Sequence, residues 1–227
     1  SILYADDTVI LSNTAEGLQQ ALNQLVIYCN TWKLKVNPSK TKIAVFGGRK
    51  VKHDAYSFRY DGRYIELVDE FKYLGITFKY NGNFDIYKKN LYDQASKAMF
   101  ALLARCNVLE LPLDVQLELF DTMMIPIIPY GCETWGFKNN DIIEKLHLRF
   151  CRYILKVKNS TPKCMLYGEL GRYPVDIHSK CKIIMYWHRL VNGSSNKMSY
   201  AMYQVPLNLY REDIFRAEWL AFIHRTL

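Results

Sequence analysis

The sequence predicts an α+β fold, and a change of apolar period predicts it. Up to about residue 84 the apolar residues alternate or run in short stretches, broken by Asn-Pro, Asp-Gly and Asn-Gly pairs, as in short strands and hairpins. From about Asp85 they recur at three- and four-residue steps, the period of helices with one apolar face. Size is the third observation. A chain of 227 residues, 50% of them apolar, can bury a core as one large domain or two small ones.

The first element is SILYADDTVIL. Ile2 to Leu11 is apolar on both sides of Ala5-Asp6-Asp7-Thr8, which reads as two short strands joined by a tight turn. A helix follows. Asn13 is its predicted cap, with Glu16 closing a capping box, and Leu18, Leu22, Leu25, Val26, Cys29 and Trp32 form one apolar face. In LKVNPSKTKIAVF two β-rich runs flank the turn Asn37-Pro38-Ser39-Lys40, and Gly47-Gly48 breaks the pattern. Asp61-Gly62 in YSFRYDGRYIELV is a hairpin signal. FKYLGITFKY reads as one strand-like run containing Gly75 and ended by Asn81-Gly82. Ile86, Leu91, Ala95, Ala98, Met99, Leu102 and Leu103 then suit one helix, and Pro112 starts a second. PIIPYGCETWG is a tight aromatic connection. Further helices are expected over Asp141–Val157, from near Met165, over Ile177–Leu190 and, after the loop VNGSSNK, over Glu212–Leu227.

Composition narrows the function classes. The formal net charge is +8, a balance that suits a nucleic-acid partner and equally a merely basic protein. No apolar run is long enough to span a bilayer, and IPIIPYG is short and broken by prolines. Six scattered cysteines without a CxxC pair suggest a reducing compartment and mostly buried thiols. Cys164, Cys181 and His188 match no compact zinc pattern.

The residues that raise a chemical question are Asp6 and Asp7. Ile2, Leu3 and Tyr4 precede them, and Val9, Ile10 and Leu11 follow. Two charges in an apolar hairpin are costly unless a cation or donors compensate. Magnesium meets that need, because it takes carboxylate oxygens and leaves places for phosphates and water. Two such ions, about 3.5–4 Å apart, activate a hydroxyl nucleophile and stabilise a leaving pyrophosphate.

Tyr4-Ala5-Asp6-Asp7 resembles the YxDD box of reverse transcriptases, in the YADD form of non-LTR, LINE-type retrotransposons. The order of later motifs extends the resemblance over nearly the whole chain. The Leu18-to-Trp32 helix with LKVNPSKTK resembles the next polymerase motif, and VDEFKYLGITF resembles the primer-grip hairpin. IPIIPYGCETWG, RYILKVKNSTP and YGELGRYP resemble the region after the palm. The resemblance implies a partial polymerase palm over residues 1–84, a helical thumb over 85–158 and a helical post-thumb region over 159–227. It implies Asp6 as the principal metal ligand, Asp7 as the second acid, and Tyr4 and Ala5 as floor beside the primer end and the incoming nucleotide. It places Lys40 where the family has a lysine thought to protonate the leaving pyrophosphate, with Lys42 as rival. Leu74 and Gly75 would hold the primer strand. Tyr130, Trp135 and Arg149 are candidate nucleic-acid contacts, with core packing the plainer reading of the aromatics.

The implied cofactor is a pair of Mg²⁺ ions. The implied partners are an RNA template, a DNA primer and deoxynucleoside triphosphates, with no membrane. Synthesis in the cytoplasm and action in the nucleus are implied by the family alone. The third palm carboxylate, the fingers and the rest of the N-terminal half of such a polymerase are not in this sequence. The expectation is therefore a fragment that is inactive alone and poorly soluble. The alternative is a non-catalytic remnant that binds RNA or an RNA–DNA duplex.

Overall fold

The computed structural model describes residues 1–47, 50–52, 56–138, 141–193, 198–211 and 218–226. Gly48, most of the VNGSSNK loop and the start of the last expected helix lie outside the described residues. The chain forms two compact units, Ser1–Phe84 and Asp85–Leu227.

In the first unit, β1 (Ile2–Tyr4) and β2 (Asp7–Val9) form an antiparallel hairpin. Helix α1 (Ala15–Thr31) follows. Its cap is Thr14, one residue later than expected. Thr14 is extended, and its Oγ1 accepts the Gly17 N–H at 3.1 Å, satisfying one of the helix's orphan donors. Strands β3 (Lys42–Ala44), β4 (Phe58–Tyr60) and β5 (Arg63–Val68) form a sheet in the order β3–β5–β4. β3 runs parallel to β5, and β4 pairs antiparallel with β5 across Asp61-Gly62. Both turn residues have positive φ, 49° and 76°, as a type I′ turn requires. The expected strand over Leu34–Val36 does not form; these residues lie in no ladder.

The sheet's inner face carries Ile43, Phe58, Tyr60, Ile65 and Leu67, which pack with Leu22 of α1. The outer edge of β4 is closed by one side chain. Gln19 Nε2 donates to the Arg59 carbonyl at 2.8 Å, and its Oε1 accepts the Arg59 N–H at 2.9 Å. The amide thus stands in for a neighbouring strand at an exposed edge. β6 (Glu70–Tyr73) and β7 (Ile76–Lys79) form a separate hairpin. FKYLGITFKY is therefore two strands rather than one. Leu74 and Gly75, with φ of 47° and 83°, reverse the chain between them.

The second unit is helical among its described residues. α2 (Asp85–Val108) buries Tyr87, Leu91, Ala95, Met99, Leu103 and Cys106 along one side. α3 (Leu113–Met123) follows Pro112, and the short α4 (Cys132–Trp135) lies inside the segment expected to be a plain connection. Tyr130 fixes that segment through its carbonyl, which accepts from the Tyr87 hydroxyl at 2.9 Å and from Trp135 Nε1 at 3.1 Å. Trp135 is a core residue, 1% exposed. α5 (Asp141–Leu155), α6 (Lys163–Leu170), α7 (Val175–Val191), α8 (Met198–Arg211) and α9 (Glu218–Thr226) complete the described elements. α8 was not expected from the sequence, where Pro206 argues against a helix. Four of the six cysteines are buried, and burial raises the Cys132 and Cys151 thiols to about 11.

A partly buried polar cluster joins α3, α5, α6 and α7. Arg172 Nε donates to His147 Nε2 at 3.0 Å, and its Nη2 pairs with Asp121. That bond leaves the His147 proton on Nδ1, which lies 3.7 Å from Glu144 Oε1. Glu144 accepts from the Tyr167 hydroxyl and, at 3.4 Å, from the Asp176 N–H. Burial alone would raise the Glu144 carboxyl; the interactions with His147 and Tyr167 outweigh it and hold the group below its ordinary value. Phe120 and Phe150 stack at 3.8 Å beneath the Arg172 guanidinium.

Three helices end without glycine. Leu34 N–H bonds Cys29 O, Leu111 N–H bonds Cys106 O, and Val157 N–H bonds Arg152 O, each reaching back five residues. The residues before them, Lys33, Glu110 and Lys156, have φ of 55°, 47° and 53°. This is the Schellman ending with a side chain where glycine is favoured. It also stops α5 at Leu155 rather than Val157.

Two measurements check these assignments. Glu110→Gly and Lys156→Gly are each expected to stabilise the chain by up to about 1 kcal/mol in urea unfolding, by relieving left-handed strain. Glu144 is depressed in the folded chain, so its contribution is full above its ordinary value of 4.5 and is lost as pH falls below that. Glu144→Gln is expected to cost about 1–3 kcal/mol at neutral pH and to flatten the acid limb of the stability profile.

Candidate functional site

The candidate site is the tip of the β1–β2 hairpin. Tyr4 and Asp7 face each other in the register, and Ala5 and Asp6 make the turn between them. Ala5 has φ of 51°, the left-handed region. Glycine is favoured at such a φ, so alanine holds the tip at a cost of roughly 1–2 kcal/mol. The result is two carboxylates on successive residues, one in the turn and one at the first position of a strand. Strand alternation beyond the turn then separates the neighbours of Asp7 onto two sides.

The apolar residues around this pair do not bury it. Leu3 is 70% exposed and Tyr4 61%, and both aspartates are exposed. The desolvation cost expected from the flanking sequence therefore does not arise, because this hairpin is a two-stranded sheet with no third strand among the described residues. The donor set suits a hard divalent cation in kind and falls short in number. Two carboxylates supply part of an octahedral shell, and no cluster of three or more His, Cys, Asp or Glu residues occurs among the described residues.

Lys40 stands on a different element. Asn37 organises its turn: Oδ1 accepts the Ser39 N–H at 3.1 Å, and the carbonyl accepts the Lys40 and Thr41 N–H groups at 3.2 and 3.1 Å. This is an Asx-type turn with Lys40 exposed upon it. Lys42, its rival, is in β3 opposite Glu66 of β5, and its Nζ lies 2.5 Å from Glu66 Oε2. The two lysines are thus unlike: one is presented to solvent, the other is ion-paired on a sheet. Leu74 and Gly75 form the β6–β7 turn, on a third element. The structure groups Tyr4, Ala5, Asp6 and Asp7 in one hairpin and sets Lys40 and the Leu74-Gly75 pair on elements of their own.

Two features escaped the sequence reading. Glu66 as the partner of Lys42 follows from a parallel pairing between segments that are not neighbours in the chain, and only that register reveals it. The exposed Arg59–Tyr64 pair, opposite residues of β4 and β5, was within reach, because Asp61-Gly62 fixes the hairpin register and hence the pair. Of the other candidate contacts, Arg149 is exposed on α5, its guanidinium carbon 4.5 Å from the Phe100 ring centre.

Residues 1–78 match the family described as reverse transcriptase (RNA-dependent DNA polymerase). The chain is 27% identical over 186 residues to a probable RNA-directed DNA polymerase from transposon BS of Drosophila melanogaster, covering 76% of this chain and 20% of that protein. It is 24% identical over 167 residues to the RNA-directed DNA polymerase from the mobile element jockey of the same organism, covering 69% and 18%. It is 28% identical over 178 residues to a retrovirus-related Pol polyprotein from the type-1 retrotransposable element R2 of Popillia japonica, covering 75% and 28%. The chain therefore spans about a fifth of the length of the first two relatives. No solved structure matches.

Proposed function

We propose that this relative of the RNA-directed DNA polymerases of non-LTR retrotransposons is the palm-and-thumb part of such a reverse transcriptase. One observation carries the reading: the exposed Asp6–Asp7 turn lies inside the segment that matches the reverse-transcriptase family. In this reading residues 1–84 belong to the palm, 85–158 to the thumb and 159–227 to the region after it. The substrates are an RNA template, a DNA primer and deoxynucleoside triphosphates, and the parent acts in the nucleus after cytoplasmic synthesis. No helix among the described residues is long and apolar enough to cross a membrane.

Asp6 and Asp7 would hold the divalent cations, typically Mg²⁺, which supply Lewis acidity at the attacking hydroxyl and the leaving pyrophosphate. Tyr4 and Ala5 would form the floor under the primer end. Lys40 would give its proton to the departing pyrophosphate, a role that suits a solvent-presented cation better than one paired as Lys42 is. The Leu74-Gly75 turn would hold the primer strand, its second residue lacking a Cβ where the backbone must approach closely. The carboxylates described here are two, and we infer that a further palm acid completes the set. A second reading, a remnant that grips nucleic acid without chemistry, draws on the net charge of +8.

Primer extension on an RNA template separates the two. The 227-residue chain alone is expected to give no Mg²⁺-dependent product. Supplied with the upstream palm and fingers of such a polymerase, it is expected to extend the primer. Asp6→Asn should then cut the rate by about a hundredfold or more. Lys40→Ala should lower it by about a hundredfold, with Lys42→Ala close to neutral. Failure of the complemented chain to extend at all would move the assignment to the binding remnant.

A further inference from the structure

The sheet β3–β5–β4 is covered by α1 on one face. Strand alternation sends Arg59, Tyr64, Glu66 and Lys42 to the other. Arg59 and Tyr64 are opposite one another, and they form a built pair. The guanidinium carbon lies 4.3 Å from the tyrosine ring centre, and Arg59 Nη2 also donates to the Tyr64 hydroxyl. The Arg59 backbone beneath is fixed by the two hydrogen bonds from Gln19. The pair is nevertheless open to solvent, with Tyr64 65% exposed. An aromatic ring kept in place and uncovered, with a planar cation stacked on it, is a plate for a second π-system.

An open groove begins at Arg59 and runs along the β4 edge beside α1. Val26 and Ile27 make its apolar floor, and Asn23, Ser57 and Asp61 its polar rim. The rim has a defined polarity. Gln19 Nε2 donates to Asn23 Oδ1 at 2.9 Å, which turns the Asn23 amide nitrogen away from Gln19 as a donor, while Asp61 is an acceptor. The charges here are mixed, with the Asp61 carboxylate at the rim and the Arg59 guanidinium at the groove's head. Glu66, the acid on the outer sheet face, is paired with Lys42 at 2.5 Å, and Arg59 and Arg63 stand at the hairpin.

From these features we infer a binding site for an unpaired stretch of nucleic acid, distinct from the Asp6–Asp7 tip. A base stacks on the Arg59–Tyr64 plate, a neighbouring nucleotide enters the groove, and the guanidinium faces the phosphate between them. Stacked and paired bases of a duplex present no free face to such a plate, so the site selects single strands. The inference rests on the reading of the chain as part of a nucleic-acid polymerase and names a contact that this reading does not contain.

The test uses the 227-residue chain and a fluorescein-labelled 12-mer of single-stranded RNA, read by anisotropy, with a duplex of the same length as comparison. Tyr64→Ala is expected to weaken single-strand binding by about fivefold or more with little change for the duplex, and Tyr64→Phe to keep it. Arg59→Ala is expected to weaken it and to lower the slope of log affinity against log salt by about 0.7. Photocrosslinking of a 4-thiouridine-containing strand should map to Tyr64. The variants are exposed substitutions, and circular dichroism checks that each folds. If the chain binds RNA but Tyr64→Ala and Arg59→Ala do not change it and crosslinks map elsewhere, the site is wrong and the polymerase reading stands. If the chain binds neither strand nor duplex, the site is wrong, and the polymerase reading is decided by the complemented primer extension. If Tyr64→Ala instead dissociates a dimer of the chain, the face is a protein interface and the proposal is overturned.

Discussion

Left-handed backbone at non-glycine residues is the constraint on which this structure turns. Six such residues occur among the described ones, and each reverses the chain or ends a helix. Ala5, Asp61 and Leu74 sit in hairpin turns; Lys33, Glu110 and Lys156 close helices. A hairpin with two turn residues leaves the ladder no slack, so the turn conformation sets which residues face one another. The Ala5 turn puts Asp6 at the tip and Asp7 opposite Tyr4. A slip of one residue would send every side chain of the hairpin to the other face. The strain accepted at Ala5, where glycine is the easier choice, holds two acids in a fixed place on an otherwise unsupported hairpin.

The first unit is braced at its helix and three-stranded sheet and exposed at the Asp6–Asp7 hairpin. Gln19 closes the edge of β4, Thr14 caps α1, and Leu22 joins the helix to the sheet core. The β1–β2 hairpin has none of these supports beyond its own ladder and the packing of Ile10. The second unit is organised differently. Its cluster of Asp121, Glu144, His147, Tyr167 and Arg172 ties α3, α5 and α6 through charge-assisted bonds over a stacked phenylalanine pair, and the Asp176 N–H adds α7. Each bond there leaves the next donor in a set orientation, so the cluster specifies one arrangement of those helices rather than adding strength alone.

Much of the fold was legible in the sequence because periods and turn chemistry are local. The change of period near residue 84, the Asp61-Gly62 hairpin and the apolar faces of α1, α2, α5 and α7 were read from neighbouring residues. The errors have local causes as well. Leu74 hides a turn inside an apolar run, since leucine is not a turn signal; the period alone reads one strand there, and the resemblance to a primer-grip hairpin gives the two that form. Lys33, Glu110 and Lys156 hide helix ends for the same reason. α8 carries Pro206 inside it, a residue that local propensity counts against a helix. Thr14 rather than Asn13 became the cap because its hydroxyl reaches the Gly17 amide, a choice between adjacent good cappers that residue preference cannot settle.

The candidate site was legible in identity and misjudged in environment. Asp6 and Asp7 drew notice because of apolar neighbours, yet those neighbours are exposed, so the argument from buried charge does not apply to them here. What survives is the geometry of adjacent oxygen donors on a tight turn. The lysines show the complementary case. Lys40 and Lys42 are equivalent in a sequence, two residues apart in one basic stretch. They differ once β3 lies beside β5, because the parallel register gives Lys42 an acid and leaves Lys40 on an Asn37-built turn. A proton donor for a departing anion needs its charge unspent before the anion forms. By that criterion tertiary pairing, which no local pattern encodes, is what distinguishes one lysine from the other.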